Sequence, residues 1–247
     1  MTHNRQRIVA IVQARMGSER LPGKVLAQVG GSSLLSILIH RLKQSCCLDE
    51  IVVATTTKKN DDAIVELAKQ EGVRSYRGSE QNVLGRYCEA AKRFDADVIV
   101  RVTADNPLTD PELMDRLISA HLKHKAHYTY CPDAPLGTGV EIVDSNVLDA
   151  VNRAALTRSE REHVTLYIQR HPDSFSVKTI ACQTGRSSIR LTVDTIADLA
   201  LMNALDEALG PLQNVRVQSV LELFENNPEL FDINAHVAQR DINDRRR

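Results

Sequence analysis

Three cations fall within ten residues of the stretch Gln13-Ala14-Arg15-Met16-Gly17-Ser18-Glu19-Arg20-Leu21-Pro22-Gly23-Lys24. Arg15, Arg20 and Lys24 are interleaved with Gly17 and Gly23, which let backbone come close to a ligand. Fixed cations together with backbone N–H groups make a cradle for a multiply charged anion such as a triphosphate. A basic, solvated surface loop is the alternative reading of the same composition. Two better-known phosphate motifs are excluded. A P-loop has four residues between its glycines and Ser or Thr after the lysine; here five separate Gly17 from Gly23, and Val25 follows Lys24. The dinucleotide fingerprint G-x-G-x-x-G is also absent.

A second chemistry-bearing feature is a pair of acids. Asp105 follows an apolar run in Thr103-Ala104-Asp105-Asn106-Pro107, and Asp194 closes another in Val193-Asp194-Thr195. Two carboxylates at strand ends can share a magnesium ion, a hard cation usually held by one or two carboxylates plus phosphate oxygens and water. The alternative for each is structural: Asp194 precedes a helix and Asp105 a proline turn, both places for a cap. Asp198, one turn further on, reads as a first-turn residue favoured by the helix dipole.

These residues need a scaffold, and the hydrophobic pattern supplies one. Short apolar runs rich in β-branched residues predict buried strands at Arg7–Gln13, Glu50–Thr55 and Asp97–Thr103. Helical stripes are predicted over Ser33–Gln44, from an Asn60-Asp61-Asp62 start through Ala63, Ile64, Leu67 and Ala68, over Asn82–Phe94 and over Pro111–Lys123. Alternating strands and helices argue for an α/β fold, a mostly parallel sheet with helices on its faces. The second half is less regular. Strands are predicted at Thr138–Val143, Phe175–Ala181 and Ser188–Asp194, with helices near Ser145–Ala155, Glu160–His171, Thr195–Leu209 and Val217–Asn227. Tyr128 and Tyr130 alternate with strand period and read as sheet face. One domain over residues 1–247 is the simplest division, since neither a repeat nor a long linker interrupts the chain.

Composition narrows the function. The net charge is −1, so overall electrostatics support neither nucleic-acid nor membrane binding. The polar start and the short run Ile8–Val12 predict no targeting segment or membrane span. Five cysteines, none in a C-x-x-C pair, predict reduced thiols in a cytoplasmic protein rather than a disulfide frame or zinc site. The Arg245-Arg246-Arg247 end reads as a solvated tail.

The loop Gln13–Lys24 resembles the signature loop of the sugar nucleotidyltransferases, in particular the cytidylyltransferases that include the KDO, acylneuraminate and SpsF-type spore-coat polysaccharide groups. The resemblance recurs in order at Ile51–Thr56 (IVVATT), Arg77–Ala91 (RGSEQNVLGRYCEAA) and Val100–Leu113 (VRVTADNPLTDPEL). Ser159–Pro172 (SEREHVTLYIQRHP) and Ile189–Leu199 (IRLTVDTIADL) are similar to the SpsF-type group. It implies a Rossmann-like nucleotidyltransferase (GT-A-like) fold and attack by a substrate oxygen on the α-phosphate of CTP, with CMP passing to a small acidic acceptor such as a sugar acid. Arg15 and Lys24 would contact the triphosphate, backbone from Ala14 through Gly17 to Ser18 would shape the nucleotide site, and Arg20 would contact phosphate or brace the loop. Asp105 matches the family's metal-binding Asp and Asp194 its second magnesium ligand. A homodimer is expected from the resemblance alone.

Glu141, Glu162, His163 and Arg190 are the candidate acceptor-side residues. SpsF-type members tend to carry an acid two residues before Glu141, where this chain has Gly139, and a more acidic pair where it has Gln81-Asn82. Both departures bear on acceptor specificity. His163 reads either as a general base near neutrality or as a histidine satisfied by a neighbouring carboxylate. Arg190 reads either as a clamp for a substrate carboxylate or as the partner of an internal acid. Competing functions are transfer of another nucleotide, a phosphorylated or phosphonate acceptor, and non-catalytic nucleotide binding. A glycosyltransferase would call for a D-x-D-like metal motif, and Asp105-Asn106-Pro107 lacks the second Asp.

Overall fold

The computed structural model describes residues 5–154, 157–182 and 189–239. Its centre is a seven-stranded sheet in the order β5-β4-β1-β6-β8-β7-β9. The strands are β1 (Ile8–Gln13), β4 (Glu50–Thr56), β5 (Arg74–Gly78), β6 (Val98–Thr103), β7 (Tyr128–Tyr130), β8 (Glu141–Asp144) and β9 (Val177–Thr179); a small hairpin, β2 (Gln28–Val29) and β3 (Ser32–Ser33), stands apart. β1 pairs in parallel with both β4 and β6, and β4 with β5; β8 alone runs antiparallel to its two neighbours. The sheet is therefore mostly parallel, as the alternation of strands and helices predicts.

The period of two along β1 explains the layering. Ala10 and Val12 face one side, with α1 (Leu34–Leu42), α2 (Asp62–Gln70) and α4 (Pro111–His124). Val9 and Ile11 face the other, with α3 (Val83–Arg93) and α5 (Ser145–Arg153). Because both faces are covered, β1 reads as a continuous apolar run and not as an alternation. Each fully buried Val, Leu or Ile contributes roughly 1.5–3 kcal/mol by leaving water. A third apolar cluster joins the hairpin and α1 to α8 (Ile196–Leu209), α9 (Val217–Asn226) and Phe231, just ahead of α10 (Asp232–Ala235).

Several local expectations change. Ser188–Asp194 is no strand: Ser188 lies outside the described residues, and only a single bridge, Leu136 to Arg190, forms beyond it. The alternation was real, since Ile189, Leu191 and Val193 are buried. Their backbone partners are loops, however: Leu191 N donates to Leu136 O and Val193 N to Asp105 O. The helix predicted over Glu160–His171 is two, α6 (Arg158–Glu162) and α7 (Leu166–Arg170), broken at Val164, which has φ 49°. Asn60 caps nothing; a 3-10 turn over Lys59–Asp61 precedes α2, and no side chain caps either. The strand predicted from Thr138 begins at Glu141, and that predicted over Phe175–Ala181 shrinks to Val177–Thr179. β5 escapes the pattern because Arg74-Ser75-Tyr76-Arg77-Gly78 is a polar edge strand. The hairpin carried a readable signal, Gly30-Gly31, with φ of 55° and 82° as a tight turn requires.

Candidate active site

The chain runs from β1 outward to β4 and β5, then returns to lay β6 on the other side of β1. That reversal opens a crevice beyond the carboxyl ends of β1 and β6, where open α/β sheets bind ligands. A cleft of about 690 Å³ lies there, walled by Gln13–Arg15 after β1, Thr103–Asn106 after β6, and Asp194.

The loop after β1 is held by specific bonds. Asp61, 2% exposed, accepts from Met16 N at 2.7 Å and also from Thr56 at the end of β4. Its role is to tie the loop to the sheet, beyond the helix-start reading. Gly23 N donates to Met16 O at 2.9 Å, and Gly23 sits at φ 70°, a left-handed conformation that disfavours a β-carbon. The 3-10 turn Lys24–Leu26 follows at once and sends Lys24 inward, leaving it 8% exposed. Gly17 has no positive φ and does not line the cleft, whereas Ala14, Arg15, Ser18 and Arg20 do.

Lys24 Nζ donates to Asp105 Oδ2, Asp194 Oδ1 and Val193 O, each at 2.8 Å. An ammonium has three protons, so its donors are fully used. Asp105 and Asp194, 89 positions apart in the chain, thus meet across one cation. Arg20 Nη2 and Arg190 Nη2 each reach Asp194 Oδ2 at 2.8 Å. Burial pushes the Asp194 carboxyl up, but Lys24, then Arg20 and Arg190, outweigh it and hold it below the ordinary range. Asp194 does not cap α8. Thr195 does, in a reciprocal box with Asp198. Asp198 is fully buried, more than a dipole residue, and bonds Arg190 Nε at 2.8 Å.

The opposite wall carries Glu141, Glu162 and His163, all lining the cleft. Glu141 accepts from Arg101 Nη1, Tyr128 Oη, Thr165 Oγ1 and Gln169 Nε2. Burial raises its pKa, but Arg101 and these hydroxyls more than reverse the effect. The break at Val164 lets both His163 and Thr165 reach the cleft. Arg190 does not line it: Nε, Nη1 and Nη2 are spent on Asp198, Gln239 and Asp194. Its placement is that of a partner to internal acids. Tyr128 is fully buried sheet face with its hydroxyl on Glu141.

Several lining residues escaped sequence reasoning, among them Glu80, Arg86, Arg101, Arg158 and Gln169. Arg101 had a signal, one charge inside the apolar strand Val98–Thr103. Arg86 had a weaker one, a cation on the apolar face of α3, where it is 2% exposed. Gln13 Oε1, Arg86 Nε and Arg101 Nε are buried polar atoms without a hydrogen-bond partner, and all three residues line the cleft. The group Cys46, Cys47 and Asp115, of which only Cys46 is exposed and whose ligand atoms lie within 4.8 Å of one another, is not part of its lining. No helix among the described residues is long and apolar enough to cross a membrane.

The cleft thus lies at the switch point, edged by a basic loop and two acids. The cytidylyltransferase family model matches residues 9–229. The spore coat polysaccharide biosynthesis protein SpsF of Bacillus subtilis is 41% identical over 229 residues, covering 90% of this chain and 95% of SpsF. The 3-deoxy-manno-octulosonate cytidylyltransferase of Syntrophotalea carbinolica is 29% identical over 167 residues, 67% of this chain and 62% of that protein. Among solved structures, a cytidylyltransferase from Leptospira borgpetersenii superimposes with a TM-score of 0.88 at 29% identity, covering 92% of this chain and 97% of its own. With the loop, the acids and the sheet order already in place, a match over nearly the whole sheet and cleft leaves one conclusion: this chain belongs to the cytidylyltransferase family and is a nucleotidyltransferase.

Proposed function

We propose that the enzyme transfers CMP from CTP to a small acidic acceptor, a sugar acid or a close relative, in surface polysaccharide or glycoconjugate synthesis in the cytoplasm. The observation that carries this reading is the meeting of Lys24, Arg20 and Arg190 on Asp194, with Asp105 on the far side of the same ammonium. Arg15 stands at the rim, 3.6 Å from Glu80. Lys24 and Arg15 would take the triphosphate and offset charge on the departing pyrophosphate.

The donor set also fits magnesium: two carboxylates converge where Lys24 now stands in as the counter-cation. Bound there by Asp105 and Asp194, the ion would supply Lewis-acid polarisation of the α-phosphate. In the reaction an acceptor oxygen forms a bond to the α-phosphorus, and the bond from that phosphorus to the bridging oxygen breaks. The electron pair leaves with pyrophosphate, and the acceptor's proton passes to a base for which His163 is the candidate. Gln13 and Arg86 offer buried polar atoms that a bound nucleotide would satisfy. The five free thiols accord with a reducing compartment.

The test is a pyrophosphate-release screen of all four nucleoside triphosphates with magnesium, against sugar acids and phosphorylated or phosphonate acids. CTP with a sugar acid is expected to give turnover, and CTP to raise the melting temperature more than UTP, ATP or GTP. A shift with ATP and none with CTP, or turnover with phosphorylated acceptors alone, overturns the corresponding half of the proposal.

A further inference from the structure

Behind the cleft, Asp194 is backed by a chain of buried polar groups that reaches past the region matched by the family model, which ends at residue 229. Arg190 Nη2 donates to Asp194 Oδ2 at 2.8 Å, and Arg190 Nε to Asp198 Oδ1 at 2.8 Å. Asp198 Oδ2 accepts from the backbone N–H of Asp194 at 3.0 Å. Asn234, on α10 and 3% exposed, donates from Nδ2 to Asp198 Oδ1 at 2.9 Å and to the backbone oxygen of Arg190 at 3.1 Å. Asp198 thus holds Asp194 by its backbone directly and by its side chain through Arg190. Asn234 holds both members of that brace, and Gln239 accepts from Arg190 Nη1. Arg190, Asp198 and Asn234 do not line the cleft.

We propose that Arg190, Asp198 and Asn234 are positioning residues that set the place and charge of the Asp194 carboxylate, and that the segment carrying α10 is thereby part of the catalytic apparatus. The inference rests on the metal role proposed for Asp194. A carboxylate pulled by Lys24, Arg20 and Arg190 together can rotate toward any of them; the fork of Arg190 fixes one oxygen and leaves the other for the metal side. Asp198 keeps that fork oriented by taking Nε, and it balances the charge of Arg190 so that Asp194 is not neutralised twice over. Asn234 supplies the donor that a second carboxylate could not. Outer partners of this kind change metal affinity by about 10–100-fold when lost.

The test compares Asn234→Ala, Asn234→Asp, Arg190→Lys and Asp194→Asn in the full chain. Mn²⁺ binding is read by electron paramagnetic resonance with a non-hydrolysable CTP analogue, alongside kcat, KM for CTP and apo melting curves. Asn234→Asp keeps the volume but sets a carboxylate against Asp198; Arg190→Lys keeps the charge but loses the fork. The expected result is a Mn²⁺ midpoint raised about tenfold or more in the Asn234 variants and in Arg190→Lys. Turnover should recover at high metal, with KM for CTP at saturating metal close to that of the parent. A lowered melting temperature with an unchanged midpoint in these variants, while Asp194→Asn moves it, overturns the positioning role alone. An unchanged midpoint in Asp194→Asn as well overturns the metal reading and this inference with it. Should an Asn234 variant fail to fold, Arg190→Lys carries the same two outcomes.

Discussion

At the scale of single residues, the cleft is organised around one ammonium. Lys24 spends all three protons on Asp105, Asp194 and Val193 O. On the proposed reading, contact with a phosphate would require Lys24 to release one of these three partners, so nucleotide and metal would arrive by an exchange of partners and not by addition. Lys24→Ala should lower turnover by about 10²-fold or more, the scale for losing one preorganised electrostatic group. It should also leave Asp105 and Asp194 facing each other without the cation they share. Magnesium alone, without nucleotide, should then raise the melting temperature of the variant more than that of the parent. Equal shifts in the two proteins would mean that Lys24 does not occupy the metal's place.

At the scale of elements, what matters is how the loop after β1 is turned. Gly23 is left-handed, and a β-carbon there would sit 3.2 Å from Met16 Cε. Gly23→Ala should cost about 1–2 kcal/mol, the usual penalty for that conformation in an L-residue. Because Lys24 is the next residue, turnover should fall with stability. At Gly17 φ is not positive and an added carbon would meet Glu80 Oε1 at an ordinary 3.8 Å, so Gly17→Ala should stay within about 0.5 kcal/mol of the parent. Urea unfolding of both variants checks the contrast. The cations of the Gln13–Lys24 run marked it as a candidate phosphate loop, with a solvated basic loop as the alternative. Which glycine the backbone needs was not readable, because φ depends on how Met16 is pinned by Asp61 from the turn after β4.

At the scale of the molecule, one buried and two half-buried carboxylates tie stability to pH. Burial raises Asp194, Asp198 and Glu141, yet in each the cations and hydrogen bonds win and the folded pKa lies below its ordinary value. Ordinary carboxylates titrate near 4. The unfolded chain therefore takes up protons first as pH falls, and these groups contribute stability that is present above that range and lost below it. The melting temperature should hold steady from about pH 7 to about pH 5 and drop below about pH 4. Asp198→Asn should melt lower at neutral pH and show a weaker acid dependence, because it removes one such group. A variant whose acid slope matches the parent would show that Asp198 does not contribute.

The sequence by itself determined the buried strands β1, β4 and β6 and the helices α1 to α4 between and after them, because those depend on local periodicity, and it displayed the basic loop and the two acids as residue types. β1, β4 and β6 are covered on both faces, so their apolar runs carry the signal within the strand itself. Only the tertiary structure decided who pairs with whom. Lys24 meets Asp105 and Asp194 across separations of 81 and 170 residues, and no local pattern encodes such distances. The capping alternative for Asp194 falls because Thr195 caps α8, and its site role stands as proposed above. Arg190 was open to clamping a substrate until its three nitrogens were seen to face inward. The stretch ending at Asp194 alternates like a strand but has loops for neighbours, since alternation reports burial of one face and not the presence of a partner strand. Charge and spacing marked the residues that could carry chemistry, and the family resemblance supplied the roles proposed for them. The docking of the segment before α8 on the loop after β6, where Val193 N and Thr192 Oγ1 both donate to Asp105 O, decided which ion pairs form.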